Sequence, residues 1–431
     1  MSAPFRLFSL FGLAALIAGV AFAQRPPQQL TLGQAEQLAI RNHPQIQAAS
    51  NMALAAKAQV TQERSAYYPV VYGSATAVDA ENNSRIAAGA LNNPIIYERY
   101  SNGFMVDQLI TDFGRTHNLV KSSDLHARAS QEDVVTTRED VLLGVDRAYF
   151  GVLKAQAVLR VAQETVKERQ LVSDQVTTLE QNKIKSGLDV SFANVNLAQA
   201  QLLLVRAQNG VEASYAQLSE ALGLSTEQTF DLADMPVPPA PPTNFADLLQ
   251  EAMRNRPELI SQRLDADSAH TYAIAERDLW FPTISAAGAA GLTPFGANQL
   301  APRYAAAGVN VNIPIFNGHL FGALHSEADE RARAQDQYLR DLQNRVTRDV
   351  RAAWLDANTD FQNLSLTEKL LSEANEALQL AQSRYTLGLS SIVELSQAQL
   401  NQTQAQIDEA SAKYDYQIAT HELDYQLGIL N

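Results

Sequence analysis

An internal repeat constrains the fold of this chain more than any other feature of its sequence. Residues 38–44 (LAIRNHP) are echoed by residues 251–257 (EAMRNRP), and residues 67–71 (YYPVV) by residues 280–284 (WFPTI). Pro44 and Pro257 are 213 positions apart, and so are Pro69 and Pro282. Two landmarks at one offset, with no gap between them, indicate that one structural unit occurs twice.

The repeat and the composition of its flanks divide the 431 residues into four parts. Residues 1–23 have the pattern of a signal peptide, because Arg6 precedes an apolar run and Ala21-Phe22-Ala23 supplies a small-x-small cleavage signal. We expect a first structural repeat over 24–222, a Pro-rich linker over 223–242 and a second repeat over 243–431. The linker ends in PVPPAPP, a stiff extended sequence.

Each half contains a predicted pair of strands. They cover residues 70–78 and about 100–110 in the first half, and about 283–315 in the second half. Val309, Val311 and Ile313 alternate with polar residues, which is the period of a strand with one apolar face. Beyond the N-terminal segment no run of about 18 apolar residues occurs, so any part that crosses a membrane would be built from strands.

Aromatic residues flank both strand pairs. They are Tyr67, Tyr68, Phe113, Trp280, Phe281 and Phe316. Rings in these places are typical of the aromatic girdle at a membrane interface, if both hairpins enter and leave from one side. The alternative is an ordinary soluble hairpin packed on helices.

Four strands cannot close a barrel. Unpaired backbone groups at a sheet edge are very costly in lipid, so a membrane sheet of this size needs strands from several subunits. Three subunits would supply 12 strands, a number that leaves an open lumen.

Two helices in this sequence are too long for a compact core. From about Arg115 to Lys185 there is no Pro, and positions 134–166 that step alternately by four and three carry mainly Val and Ala. Positions 346–385 repeat this heptad stripe in the second half. Stripes of this kind are typical of coiled coils. A helix of about 70 residues would span on the order of 100 Å.

The layout resembles the TolC-like outer-membrane efflux proteins. The resemblance covers about residues 30–430 and depends on the doubled sequence, the Asn-x-Pro and aromatic-aromatic-Pro landmarks, and the Gly-Leu turns at 187–188 and 388–389. It implies an α+β membrane protein with an internal twofold repeat. In that fold a trimeric 12-stranded β-barrel, with four strands per subunit, is continued by a long coiled α-helical barrel.

The resemblance also implies a location and partners. The protein would be a homotrimer in outer-membrane lipid that projects into the periplasm. A periplasmic adaptor protein and an inner-membrane pump would dock at the helical turns. The residues expected to contact the adaptor are Gly187, Leu188, Gly388 and Leu389.

A gate is expected after the second turn. The family pattern there is Tyr-x-x-Gly followed by an acidic residue, which in this sequence is Tyr385 to Gly388 and then Glu394. In similar members such residues hold the tip closed, so Tyr385 and Glu394 are the predicted gate. Gln397 stands where some relatives have a second Asp, and Asn194 lies near the expected acidic position of the first half. A strongly acidic double ring is therefore not expected.

The sequence contains no recognisable catalytic chemistry. It lacks a phosphate-binding Gly-x-x-x-x-Gly-Lys loop, a nucleophile turn and a zinc helix, and the absence of Cys excludes thiol catalysis and Cys-ligated metal. We expect no enzyme activity, no cofactor and no metal site. A formal charge of −14 argues against a nucleic-acid partner.

Two functions remain open at this point. The first is a passive exit duct of a tripartite efflux or type I secretion system. The second is a periplasmic or surface structural coiled-coil protein without a pore.

Overall fold

The computed structural model describes residues 29–81, 84–85 and 95–430. The signal peptide expected at residues 1–23 lies outside this range. The first half contains α1 (Leu32–Asn42), α2 (Pro44–Arg64), β1 (Val70–Val78), β2 (Arg99–Thr111), α3 (Arg115–Gln181) and α4 (Gly187–Ala221). The second half contains α5 (Phe245–Asn255), α6 (Pro257–Arg277), β3 (Thr283–Gly296), β4 (Arg303–Asn312), α7 (Leu320–Thr386) and α8 (Ile392–Leu427).

The two halves therefore contain the same elements in the same order. α3 and α7 have 67 residues each, which corresponds to about 100 Å of helix. The short helices are set by local signals. Thr31 and Gln34 form a capping box at the start of α1, and a proline begins both α2 and α6.

The helices pack as two hairpins, α3 with α4 and α7 with α8, around separate buried clusters. One cluster surrounds Tyr149 and Phe150 of α3 and includes α1, α4 and the start of the linker. A second joins α5, α7 and α8 around Val346 and Leu423. A third lies at the far tip of the hairpins, where Tyr385 and Leu395 are buried.

The first long helix ends earlier than we predicted from sequence. α3 stops at Gln181 rather than near Lys185, because Lys183 takes a left-handed conformation with φ of 60° and Ile184 bonds back to the Leu179 carbonyl. The chain is then free to reverse, and Ser186 caps α4.

The strands form one antiparallel sheet in the order β1-β2-β3-β4. The sequence predicted that the last strand would run to Ile315, but β4 ends at Asn312. Pro314 has no N–H to donate to a neighbouring strand, which explains the early end. The partner strand β3 covers Thr283–Gly296.

The Pro-rich segment is bound along the second hairpin. Trp354 Nε1 donates to the Pro242 carbonyl at 2.8 Å, and Gln417 Nε2 donates to the Met235 carbonyl at 3.1 Å. The Tyr416 hydroxyl donates to the Pro239 carbonyl. This segment therefore contributes to the fold and does more than connect the halves.

Within the described ranges, none of the helices combines the length and apolar character needed to cross a membrane.

Candidate functional sites in the sheet and at the helical tip

The sheet sorts its side chains by face. Paired residues point to the same side, so rows such as Ala75, Asn102, Leu292 and Arg303 follow from the register. One face is mainly apolar. Its apolar members are Val71, Ala75, Ala77, Phe104, Val106, Ala286, Ala290, Leu292, Ala305, Ala307, Val309 and Val311.

The opposite face carries most of the polar groups of the strands. They are Ser74, Thr76, Ser101, Asp107, Ser285, Tyr304, Asn310 and Asn312. Both faces are open to solvent in a single chain, as illustrated by Val309 with 66% of its surface exposed. An exposed apolar face of this extent is unusual for a soluble monomer.

The predicted girdle residues lie where the strands meet the helices. Each of the six is exposed, and the Phe113 and Phe281 rings from the two halves are 6.3 Å apart between centroids. The structure adds two rings that sequence analysis missed. Tyr100 and Phe295 are paired on the apolar face at the other end of the sheet. The sequence did not indicate them as girdle residues, because each is a single aromatic residue inside a strand.

The tip contains a contact between the two hairpins. Tyr385 is 5% exposed, and its hydroxyl donates to Asp189 Oδ1 at 3.2 Å. Lys185 Nζ lies 3.8 Å from the centroid of the Tyr385 ring and donates to the Tyr385 carbonyl at 3.1 Å. Tyr385 is therefore held by both α4 and the turn before it.

The electrostatics of this contact favour a carboxylate acceptor. Burial tends to raise the pKa of Asp189, but hydrogen bonds from Ser186 and Tyr385 and the Lys185 charge outweigh it, so the pKa is lowered. Burial, followed by the Asp189 charge, raises the pKa of Tyr385 to about 12. Near neutral pH the tyrosine is therefore the donor and the carboxylate the acceptor.

Glu394 has a different partner. Its Oε1 lies 3.1 Å from Arg384 Nε, so this ion pair joins the two arms of the second hairpin, and Glu394 makes no described hydrogen bond to Tyr385. Gln397 bonds to Asn401 within its own helix, and Asn194 accepts from Ser173 Oγ at 2.8 Å. The two predicted gate residues therefore take part in two different contacts, Tyr385 with Asp189 and Glu394 with Arg384.

The first-half carboxylate at the tip is Asp189, which sequence analysis did not single out. The family pattern places an acidic residue about six positions after the glycine, and Asn194 lies near that position in this chain. The signal that could have found Asp189 is the capping box of Ser186 and Asp189, in which the Asp189 side chain accepts from the Ser186 N–H at 2.9 Å.

The two predicted docking turns differ in backbone conformation. Gly388 has φ of 75°, a left-handed value that favours glycine. Gly187 is the first residue of the helix α4 and has no positive φ, so its backbone conformation does not require glycine. Leu188 and Leu389 beside them are 65% and 66% exposed.

No three His, Asp or Glu side chains in the described part of the chain converge in a way that could hold a metal ion.

The pattern that defines the outer membrane efflux protein family matches residues 36–224 and 248–428. Among curated proteins, the chain is 24% identical to outer membrane protein TolC of Vibrio cholerae serotype O1, over 90% of this chain and 89% of that protein. It is also 24% identical to the alkaline protease secretion protein AprF of Pseudomonas aeruginosa, over 91% of this chain and 83% of that protein.

Solved structures have the same fold. A membrane protein from Pseudomonas aeruginosa aligns with a TM-score of 0.81 and 21% identity, over 92% of this chain and 93% of that chain. The CmeC outer membrane channel of Campylobacter jejuni aligns with a TM-score of 0.78 and 17% identity, over 93% and 86%.

The family match, which spans both halves, confirms the predicted resemblance, the channel function and the outer-membrane location. This chain belongs to the outer membrane efflux protein family, as an outer-membrane channel subunit of an efflux or type I secretion system.

Proposed function

We propose that three copies of this chain close a 12-stranded barrel and form a passive exit duct through the outer membrane. The observation that carries this proposal is the sorting of the sheet into an apolar face and a polar face. In a closed barrel the apolar face would contact lipid, and Asp107 and Asn310 would face the aqueous lumen.

The edges of the sheet support a trimer. β1 and β4 are the outer strands and carry unpaired backbone groups along one side. In lipid each unpaired group would cost several kcal/mol, so pairing β4 of one subunit with β1 of the next removes a large penalty. The two aromatic ends of the apolar face suit the two membrane interfaces.

The helices would continue the duct into the periplasm. Coiled hairpins on the order of 100 Å long can bridge a distance that a barrel cannot. Membership of an efflux channel family implies partnership with an adaptor and an inner-membrane pump. The tip turns are the proposed adaptor contacts, because Leu188 and Leu389 expose apolar surface at the far end of both hairpins.

We also propose that Tyr385 and Glu394 close the tip through separate contacts. The Tyr385–Asp189 hydrogen bond ties the second hairpin to the first, and the Glu394–Arg384 ion pair fixes the turn that carries Tyr385. In a trimer each contact would occur three times around the axis. An adaptor that opens the duct would have to overcome all of them.

The names of two relatives bear on what this channel transports. AprF is named for the secretion of alkaline protease, and a further relative, CzcC of Cupriavidus metallidurans, is named for cobalt-zinc-cadmium resistance. Both efflux and type I secretion are therefore kept in the proposal. The energy for transport would come from the pump.

Planar-bilayer recording of the purified protein tests the proposal. We expect heat-modifiable trimers that fractionate with outer membranes and conduct ions without added ATP. A protein that fractionates away from the outer membrane and gives no conductance would match the structural coiled coil without a pore and would refute the duct.

A further inference from the structure

The interior of the two packed hairpins contains a belt of buried and half-buried polar side chains, about one to three helical turns from the ends of the helices at the tip. It consists of Arg169 on α3, Asn196 on α4, and Ser396, Gln399 and Thr403 on α8, which we call the polar layer. Arg169, Asn196, Ser396 and Gln399 are each no more than 9% exposed.

We infer that the polar layer is a positioning device for the tip: it fixes the register between the two hairpins so that Tyr385 meets Asp189. This inference rests on the proposed function, in which that contact holds the duct closed.

The hydrogen bonds of the polar layer cross from one hairpin to the other. Asn196 Nδ2 donates to Ser396 Oγ at 2.8 Å and to Gln399 Oε1 at 3.3 Å. Arg169 Nη2 donates to the Gln399 carbonyl at 2.8 Å and to Thr403 Oγ1 at 3.0 Å. α8 is thus bonded to both arms of the first hairpin at one level.

Apolar contacts alone would specify this register poorly. The stripes of both hairpins consist largely of alanine and other small or aliphatic residues, and such surfaces can pack in more than one register. A slip would leave the buried donors of Arg169 and Asn196 without acceptors, which is costly. A single buried polar residue is known to select one register in coiled coils for the same reason.

The polar layer and the tip are linked by rigid helix. Asn196 lies seven residues after Asp189 on α4, so both side chains are on the same face, about 10 Å apart along the axis. A shift of one turn, about 5.4 Å, would break the Asn196–Ser396 bond. It would also carry Asp189 out of reach of the Tyr385 hydroxyl.

Cross-linking in this cysteine-free chain can measure the register directly. Asp189→Cys and Tyr385→Cys are introduced together, and a short bifunctional thiol reagent links them within one subunit. In this background Asn196→Leu with Ser396→Ala replaces the central bond by apolar contact. A cavity of about 80 Å³ beside Asn196 gives the leucine room.

We expect the ratio of unlinked to linked chain to rise at least about fivefold in the apolar variant, because the loss of one net hydrogen bond changes the ratio of shifted to native register by about that factor. The swap Asn196→Ser with Ser396→Asn should restore the yield, because it restores a donor and an acceptor across the same interface. The control Gln397→Ala should behave as the parent, since the side-chain hydrogen bond that Gln397 makes among the described residues, to Asn401, stays within its own helix.

An unchanged yield in the apolar variant, or no recovery in the swap, would overturn the inference. If the apolar variant does not accumulate, Gln399→Met answers the same question with a smaller change. Because the link lies within one subunit, its yield does not depend on trimers. Failure of the parent protein to conduct would therefore count against the proposed function and leave the register result intact.

Discussion

Tyr385 and Glu394, the two residues assigned to the gate from sequence, differ in burial and in partner. Tyr385 is almost fully buried against the first hairpin, whereas the Glu394 side chain is 46% exposed and paired with Arg384. The buried contact is the stronger candidate for holding the tip, because exposed ion pairs contribute about 0–1 kcal/mol. We therefore include Asp189, which accepts the hydrogen bond from Tyr385, among the proposed gate residues.

We predict that Tyr385→Phe with Glu394→Gln raises single-channel conductance and weakens cation selectivity, with little change in trimer stability. Each lost contact is worth about 0.5–3 kcal/mol and recurs in three subunits, and carboxylates near the axis favour cations. Asp189→Asn should raise conductance by itself. Gln397→Ala is the control. Recordings of the double variant that match the parent in both respects would contradict the gate.

A second residue-scale feature is a pair of glutamates with raised pKa, of which Glu36 is half-buried and Glu139 is buried. Burial, the nearby Asp146 charge and a hydrogen bond shared with Asp146 raise the pKa of Glu36 to about 7, although the His421 charge opposes them. Burial also raises the pKa of Glu139 to about 7, against the opposing charge of Arg256. Both lie in the region between the sheet and the tip.

These shifts predict that the protein is more stable in mild acid. A carboxyl with a raised folded pKa binds its proton more tightly when folded, so stability is lost as pH rises from the ordinary 4.5 through about 7. The thermal midpoint should therefore fall between pH 5 and pH 8. Glu36→Gln with Glu139→Gln should flatten that dependence, and an equally steep dependence in the double variant would contradict the assignment.

At the scale of elements, the structure explains why the Asn-x-Pro sequence occurs in both halves. We call these segments, residues 42–44 and 255–257, the elbows. After α4 and α8 the chain turns at Gly223 and Gly428, with φ of 68° and 70°. A Cβ on Gly223 would lie 2.8 Å from His43 Cα, and one on Gly428 would lie 2.9 Å from Arg256 Cα. Each return helix thus ends against the elbow of its own half, at the residue just before proline.

We predict that Gly223→Ala and Gly428→Ala each destabilise the fold by more than about 1–2 kcal/mol, the cost of a left-handed residue, because backbone crowding adds to it. Gly144→Ala and Gly210→Ala are matched controls, since both glycines are helical with open space around them. They should gain about 0.5–1 kcal/mol. Denaturant unfolding measures all four, and equal effects would refute the elbow contact.

Docking of the adaptor can be tested at the two turns of the tip. Bulky replacements at Gly187 and Gly388 together should abolish export while trimers still reach the outer membrane. Gly388 should contribute more, because its left-handed φ adds strain that Gly187 does not have. Gly322 at the other end of α7 has open space and serves as the control. Normal export by the double variant would count against docking at the tip.

At the scale of the whole molecule, the sheet and the helices require different surroundings. The hairpins pack on each other within one chain and leave scattered apolar residues such as Leu202, Val205 and Leu366 exposed, whereas the sheet leaves a whole apolar face and two edges open. The assembly in lipid that we propose would cover both the apolar face and the edges. We therefore expect stability in the membrane to depend on which face of the sheet is changed.

Neighbouring residues of β4 test this expectation. Val309 is on the apolar face and Asn310 on the polar face. Val309→Arg should impair insertion of trimers, because an arginine facing lipid costs about 2–4 kcal/mol at the midplane and less toward the interfaces. Asn310→Arg should assemble normally and alter ion selectivity. If both variants assemble equally well, the faces are not separated by lipid and water as proposed.

Local patterns in the sequence were sufficient for much of this protein. The heptad stripes of α3 and α7 and the alternation around Val309 depend on residues close together in the chain, and the offset of 213 residues between the halves is found by comparing the sequence with itself. They predicted the long coiled helices, the strand pairs and the family. The end of β4 was predicted too late, because Ile313 continues the alternation but precedes a proline that cannot donate a hydrogen bond to a neighbouring strand.

Tertiary structure alone decided the contacts between the hairpins. Tyr385 and Asp189 are 196 residues apart, and their meeting depends on how two rigid helical hairpins are aligned along their length. Periodicity defines which face of a helix is apolar, but it leaves the axial register open, because an apolar stripe looks alike after each heptad. The partner of Tyr385, the polar layer and the packing of the Pro-rich segment therefore became visible only in the folded chain.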